Sequence, residues 1–281
     1  MNVREIKLVN SEGQMYTLTM QEHFIHSIGG FGFTDQTSFQ RVGSMLKPLT
    51  ELMMPDSPTG SIFFPEPNAY QKYYEFARFI RRTPLRLLYN PAGEEEYMLN
   101  VRVQALEKAD LVEGHTGLNC AVTFVPLSTW YKVVIAINDG QVTEGKVYSY
   151  TYDYTYTNSL RQTIMIDSDS DLESPAKITI YGPVEDPVWV HYVNNVQKAT
   201  GTIDVQIPAG NKLVIDTTTI PYSIQEFTNA GVLVADRYEQ ADFSTNRFFF
   251  LDYGENRISV QHYGANTVTL GVEAHLAYET V

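Results

Sequence analysis

The stretch Val147–Thr157, VYSYTYDYTYT, places tyrosine at 148, 150, 152, 154 and 156, with small or polar residues between. Successive side chains of a strand point to opposite faces, so period-two alternation specifies a strand, whereas a helix would scatter the rings around its circumference. All five rings share one face, and Ser149, Thr151, Asp153, Thr155 and Thr157 share the other. An aromatic face of this kind needs a cover: a second sheet, another subunit or a sugar.

The same period governs most of the chain. Beyond residue 131, KVVIAI, QTIMID, AKITIY, PVWVHYV, GTIDVQI, KLVID, NRFFFL, NRISVQHY and TVTLGVEAHLAYET recur with turn residues between them. Together with the tyrosine ladder these predict roughly ten short strands, the pattern of an all-β sandwich or jelly roll. Before residue 131 the pattern is mixed. VREIKLV, a SEGQ turn and MYTLTM predict a hairpin. Gly29, Gly30 and Gly32 in IGGFGF permit backbone angles that other residues resist. The segment 43–60, GSMLKPLTELMMPDSPTG, reads as a loop or a long hairpin arm. Asn68–Arg82 predicts the clearest helix, with Asn68 as N-cap and Tyr70, Tyr73, Tyr74, Ala77 and Ile80 as its apolar stripe; Pro84 ends it. LRLLYN, YMLNVRVQALEKADL and LNCAVTFVP follow as strands, and PLSTWY at 126–131 marks a boundary. The fold class is therefore mainly β: an α+β domain with one helix over 1–131 and a β-sandwich over 132–281.

Composition narrows the partners. The net charge of -13 and pI of about 4.8 disfavour a nucleic-acid reader, which needs basic groups to replace counterions, and disfavour binding to an anionic membrane. The single cysteine, Cys120, lies in the apolar run LNCAVTFV and reads as a small core residue. The start, MNVREIKLVN, has no apolar stretch of signal-peptide type, and runs such as VVIAI are too short to span a bilayer.

Catalytic and metal signatures do not emerge. GGFGF opens no helix and has no lysine placed for phosphate. His23 and His26, three apart, point to opposite faces of a strand, a poor arrangement for sharing a metal. Asp167, Asp169 and Asp171 match the start of a calcium loop, but Leu172 stands where glycine is needed and Ile178 where glutamate is needed. Glu94, Glu95 and Glu96 read as a solvated turn. No catalytic, cofactor-binding or metal-binding residue is assigned, and the chain reads as a non-enzyme.

The segment order resembles that of the distal tail proteins of siphophages infecting Gram-positive bacteria. The resemblance runs through VREIKLVNSEGQMYTL, IGGFGF, YQKYYEFARFI into PLRLLYN, and VTFVPLSTWYK. It continues through AKITIYGPVEDPVWV, IPAGNKLVIDT and STNRFFFLDYGENRISV. It implies a belt domain assembling six copies into a ring, followed by a galectin-like sandwich. The ring would join the tail tube protein to the tail-tip hub and adhesion device, with a receptor-binding protein as a further partner. DNA would cross the lumen without specific binding, and the site of action would be the virion tail tip. On this reading Leu46, Leu49, Leu52, Met53 and Met54 of the arm are the candidate ring contacts. The alternative is a carbohydrate-binding module for host cell-wall glycans, with Tyr150, Tyr152, Tyr154 and Trp189 as the aromatics that either stack on sugar or pack inside.

Overall fold

The computed structural model describes residues 4–20, 23–50, 53–91, 95–108, 117–138, 161–263 and 268–281. The tyrosine ladder, with Tyr150, Tyr152 and Tyr154, lies outside them. The chain divides into two compact units, Met1–Lys132 with Tyr278–Val281, and Val133–Ala277.

In the first unit the long strand Tyr97–Leu106 belongs to two antiparallel layers. Its first half pairs with Leu85–Asn90, which pairs with Glu5–Val9 and then Met15–Thr17. From Val101 on, across an irregularity at Val103/Ala105, it pairs with Gly117–Pro126, then Thr59–Pro65, His23–Gly29 and Thr19–Met20. Period two sets the filling between them: Ile6, Leu8, Ile62, Phe64, Leu85, Leu87, Leu99, Leu118, Cys120 and Phe124 are all buried. Cys120 is thus the core residue its alternating run predicts.

The helix runs over Ala69–Phe79, shorter than the sequence suggests. Asn68 occupies the N-cap position with φ 70, but its side chain makes no capping bond. The buried face is also different. Ala69, Phe76 and Phe79 point inward, while Tyr74 is 51 % exposed and Tyr70, Tyr73, Ala77 and Ile80 are half-buried. Phe76 packs on Tyr16 and Phe64, with ring centroids 4.9 and 5.9 Å away. A phenylalanine has no hydroxyl to keep wet, so it takes the core place over tyrosine when both are available.

The second unit is a sandwich of two antiparallel sheets. One runs in the order Leu233–Asp236, Ser223–Thr228, Asn211–Asp216, Ala176–Tyr181, Thr269–Tyr278 and the later part of Trp130–Asn138. The other runs Arg161–Ser168, Gly254–Gln261, Val188–Val193, Val196–Thr202. Ile178, Ile180, Leu213, Ile215, Leu270 and Val272 from the first are buried, as are Ile164, Ile166, Trp189, Ile258 and Val260 from the second.

Two sequence expectations are corrected here. NRFFFL is not a strand: the chain is irregular there, and only Leu251 bridges, to Ser174. Phe249 turns inward onto Trp189 and His191, at 5.0 and 4.7 Å between centroids. Conversely, Ser223–Thr228 and Leu233–Asp236 are strands that the sequence pattern hides. Glu226 sits in the middle of the former yet is 1 % exposed, because Arg237 Nε and Nη2 both donate to its Oε2 and Asn211 Nδ2 donates to Oε1. A buried charge persists when it is paired and hydrogen-bonded in this way.

His191 is a second buried polar residue, 1 % exposed. Asn256 Nδ2 is spent on the carbonyls of Asp252 and Gly254, so Asn256 Oδ1 accepts, and His191 Nε2–H donates at 3.0 Å. Burial, against the opposing effect of the Asn256 bond, holds the imidazole pKa below its ordinary 6.5. The folded state therefore resists protonation where the unfolded chain accepts it. This contribution to stability is complete above the unfolded pKa and is lost as pH falls from there through the folded pKa. Urea unfolding of the second unit is expected to shift to lower midpoint between about pH 7.5 and pH 5.5. The shift should shrink in His191→Gln; an equal shift in both proteins would remove His191 as the cause.

Among the described residues no helix is long and apolar enough to cross a membrane.

Candidate assembly surface

The feature that leaves the core of the first unit is a ribbon between Phe33 and Pro55. Phe33–Asp35 pairs with Met53–Pro55, and Ser38–Val42 pairs with Met45–Thr50, all antiparallel. Of the two forms the sequence allowed for 43–60, a loop or a hairpin arm, the structure has the arm, and it begins ten residues earlier. Its tip turns at Gly43, φ 63, where Arg41 Nε donates to the Gly43 carbonyl. Gly30 closes its root: at φ 79, a Cβ there would lie 2.2 Å from the Ser57 carbonyl oxygen, so only glycine lets the incoming and outgoing chains pass. Asp56 N donates to the Gly32 carbonyl, and Thr34 Oγ1 donates to Asp56 Oδ1. Phe31, just before the ribbon, packs on Tyr89 and stacks on the buried Trp130, at 4.6 and 5.6 Å.

The root is thus anchored, and the ribbon beyond it is bare. Both faces of Ser38–Val42 are exposed. Met45, Leu46 and Leu49 are 75, 67 and 62 % exposed, and Phe39 and Val42 are each at 58 %. Met53 and Met54 are less exposed, and Leu52 lies outside the described residues. A lone two-stranded ribbon is marginal in water, and a contiguous exposed apolar patch marks an interaction surface. Phe33, Phe39, Val42 and Met45 share this exposure with the expected Leu46, Leu49, Met53 and Met54. The available signal was that apolar residues in this segment do not alternate cleanly with polar ones, so no single face can serve a core.

A second exposed surface lies on the helix. Tyr70, Gln71, Tyr74, Ala77, Arg78 and Arg81 line an open groove of about 640 Å³. Lys108 lies against two of its tyrosines, donating to Tyr74 Oη at 3.1 Å and lying 4.8 Å from the centre of the Tyr70 ring.

The other candidates are distributed, not convergent. His26 bonds Asn119 through Nε2, while His23 lies against Tyr16, 4.1 Å between centroids. Asp167, Asp169 and Asp171 point to solvent while Ser168 and Ser170 turn inward and bond each other. Among the described residues no group of three or more His, Cys, Asp or Glu could hold a metal ion. Trp189 is fully buried, so it packs and has no face to offer a sugar. Charge is uneven along the chain: the second unit has 8 Lys and Arg against 18 Asp and Glu, and so holds 10 of the 13 net negative charges.

Residues 5–127 match the family model described as distal tail protein, N-terminal domain. The chain is similar in fold to a chain of the phage P2 baseplate in its activated conformation with calcium. That match has 14% identity and a TM-score of 0.62, over 96% of this chain and 98% of that one. It is similar to the same extent, at 7% identity and a TM-score of 0.62, to the SPP1 Dit protein, described as a paradigm of the hub adsorption apparatus in phages infecting Gram-positive bacteria. That match also covers 96% of this chain and 98% of the other. No curated protein matches the sequence.

Proposed function

We propose that the chain, whose residues 5–127 match the model of the distal tail protein N-terminal domain, is a non-enzymatic ring subunit of a phage tail tip. Six copies close a ring that joins the tail tube to the baseplate hub and its adhesion device. The observation that carries this reading is the Phe33–Pro55 ribbon, rooted in its own unit and largely bare over its described residues. A closed ring needs a heterologous contact, in which one patch of each copy meets a different patch of the next. A projecting arm supplies such a patch. Its apolar side chains become buried only when another copy covers them.

The remaining partners follow from that position: the tail tube protein on one side, the tail-tip hub and a receptor-binding protein on the other. DNA crosses the ring without a dedicated site, as suits a protein whose net negative charge repels phosphate. No membrane contact is part of this reading.

Light scattering and negative-stain imaging of the purified chain test it. The expected result is a six-subunit annulus with a central hole. A chain that stays monomeric at every concentration, both alone and with its tube and hub proteins, would overturn it.

A further inference from the structure

A row of aromatic rings lies on the second unit. Phe250 and Phe248 both meet Tyr222 edge-on, at 5.6 and 5.4 Å between centroids. Phe248 stacks on Tyr238 at 6.2 Å, and Tyr238 meets Phe243 edge-on at 5.8 Å. The row arises where FFF departs from strand geometry. Phe249 alone enters the core, which leaves its two neighbours on the other side. Phe243 is 58 % exposed, Tyr222 41 %, and the adjoining Ile220 91 %.

Fixed polar groups are set among the rings. The Arg247 guanidinium lies over Phe243, 4.5 Å from its centre, and over Tyr238, 5.3 Å away. It donates through Nη1 to Tyr238 Oη, and a guanidinium has more donors than this one bond uses. Asp242 is held at the surface by Ser244, whose backbone N–H and hydroxyl donate to its two oxygens at 2.8 and 2.9 Å.

We propose that this row binds an uncharged, β-linked oligosaccharide of gluco-configured units. Such a sugar carries C–H groups on both faces and hydroxyls around its rim. The faces suit the rings, whose negative π-clouds attract polarised C–H groups, and the rim suits Arg247, Asp242 and the tyrosine hydroxyls. An anionic polymer is disfavoured by the 10 net negative charges of the unit. The site uses none of the aromatics that alternation alone suggests for sugar.

Titration calorimetry of the full chain with cellopentaose and chitopentaose tests the assignment. Saturable binding of at least one is expected at millimolar sugar. The double variant Tyr222→Ala, Phe243→Ala should bind at least tenfold more weakly while keeping the same thermal transitions. Tyr263→Ala, on another loop where the ring is 76 % exposed, should bind as the parent does. Absence of saturable binding of both sugars to the parent, or equal binding by the double variant, would overturn the proposal and leave the row as a surface for a protein partner.

Discussion

Replacing Leu46 and Leu49 together by aspartate is expected to abolish ring formation while leaving the fold untouched. The two parts of this result separate because the side chains are 67 and 62 % exposed in the single chain. Surface changes of this kind alter stability by no more than about 0.5 kcal/mol. Covered by a neighbouring copy, each leucine contributes about 1.5–3 kcal/mol through apolar burial. Losing both weakens every contact around the ring by two decades or more in association constant, and burying unpaired carboxylates adds a further cost. Thermal transitions and circular dichroism should match the parent, while light scattering reports the mass of one chain. An annulus that forms as before would remove the ribbon from the assembly surface.

Trp189→Ala is expected to act in the opposite way, on stability and on one unit only. The indole is fully buried between Phe249 and Gly201, where a Cβ on the glycine would lie 2.4 Å from the ring. A core Trp→Ala change costs about 3–5 kcal/mol, much of the stability of an ordinary domain. The transition of the second unit should fall by roughly 10 °C or more. The transition of the first unit, whose core holds Trp130 and Phe64 and not Trp189, should stay in place. Calorimetry resolves the two cases, and a single transition that drops as a whole would mean that the cores do not melt separately.

The positions of many strands were legible because buried layers impose period two on the residues that fill them. Ile164 and Ile166, or Ile178 and Ile180, declare their inward face without help from the rest of the chain. The failures have physical causes of their own. Glu226 made Ser223–Thr228 look like a surface segment, since the Arg237 guanidinium that neutralises it and the Asn211 amide that donates to it lie outside that segment. Tyrosine misled the helix reading because a ring with a hydroxyl can sit half in water, so Tyr70 and Tyr74 mimic a core stripe that Phe76 and Phe79 in fact supply. Three phenylalanines in a row carry no alternation at all. Only the fold reveals that Phe249 enters the core while Phe248 and Phe250 stay with Tyr222. The segment 43–60 was readable as a loop or a hairpin arm from its turn residues, but which of the two, and how far it extends, was not, because exposure on both faces leaves no periodic trace.

The chain path between the units has a consequence of its own. The second unit begins after Lys132 and ends before Tyr278. Lys132 Nζ lies 5.0 Å from the centre of the Tyr278 ring, with the Tyr97 ring 4.8 Å away on the same ammonium. The two covalent leads therefore leave and return at one spot on the host domain. A body connected in that way is a cassette: a short bridge across the spot replaces it without breaking any strand pairing of the host. Exchange of the inserted body for another then requires two crossovers at neighbouring points and no redesign of the host.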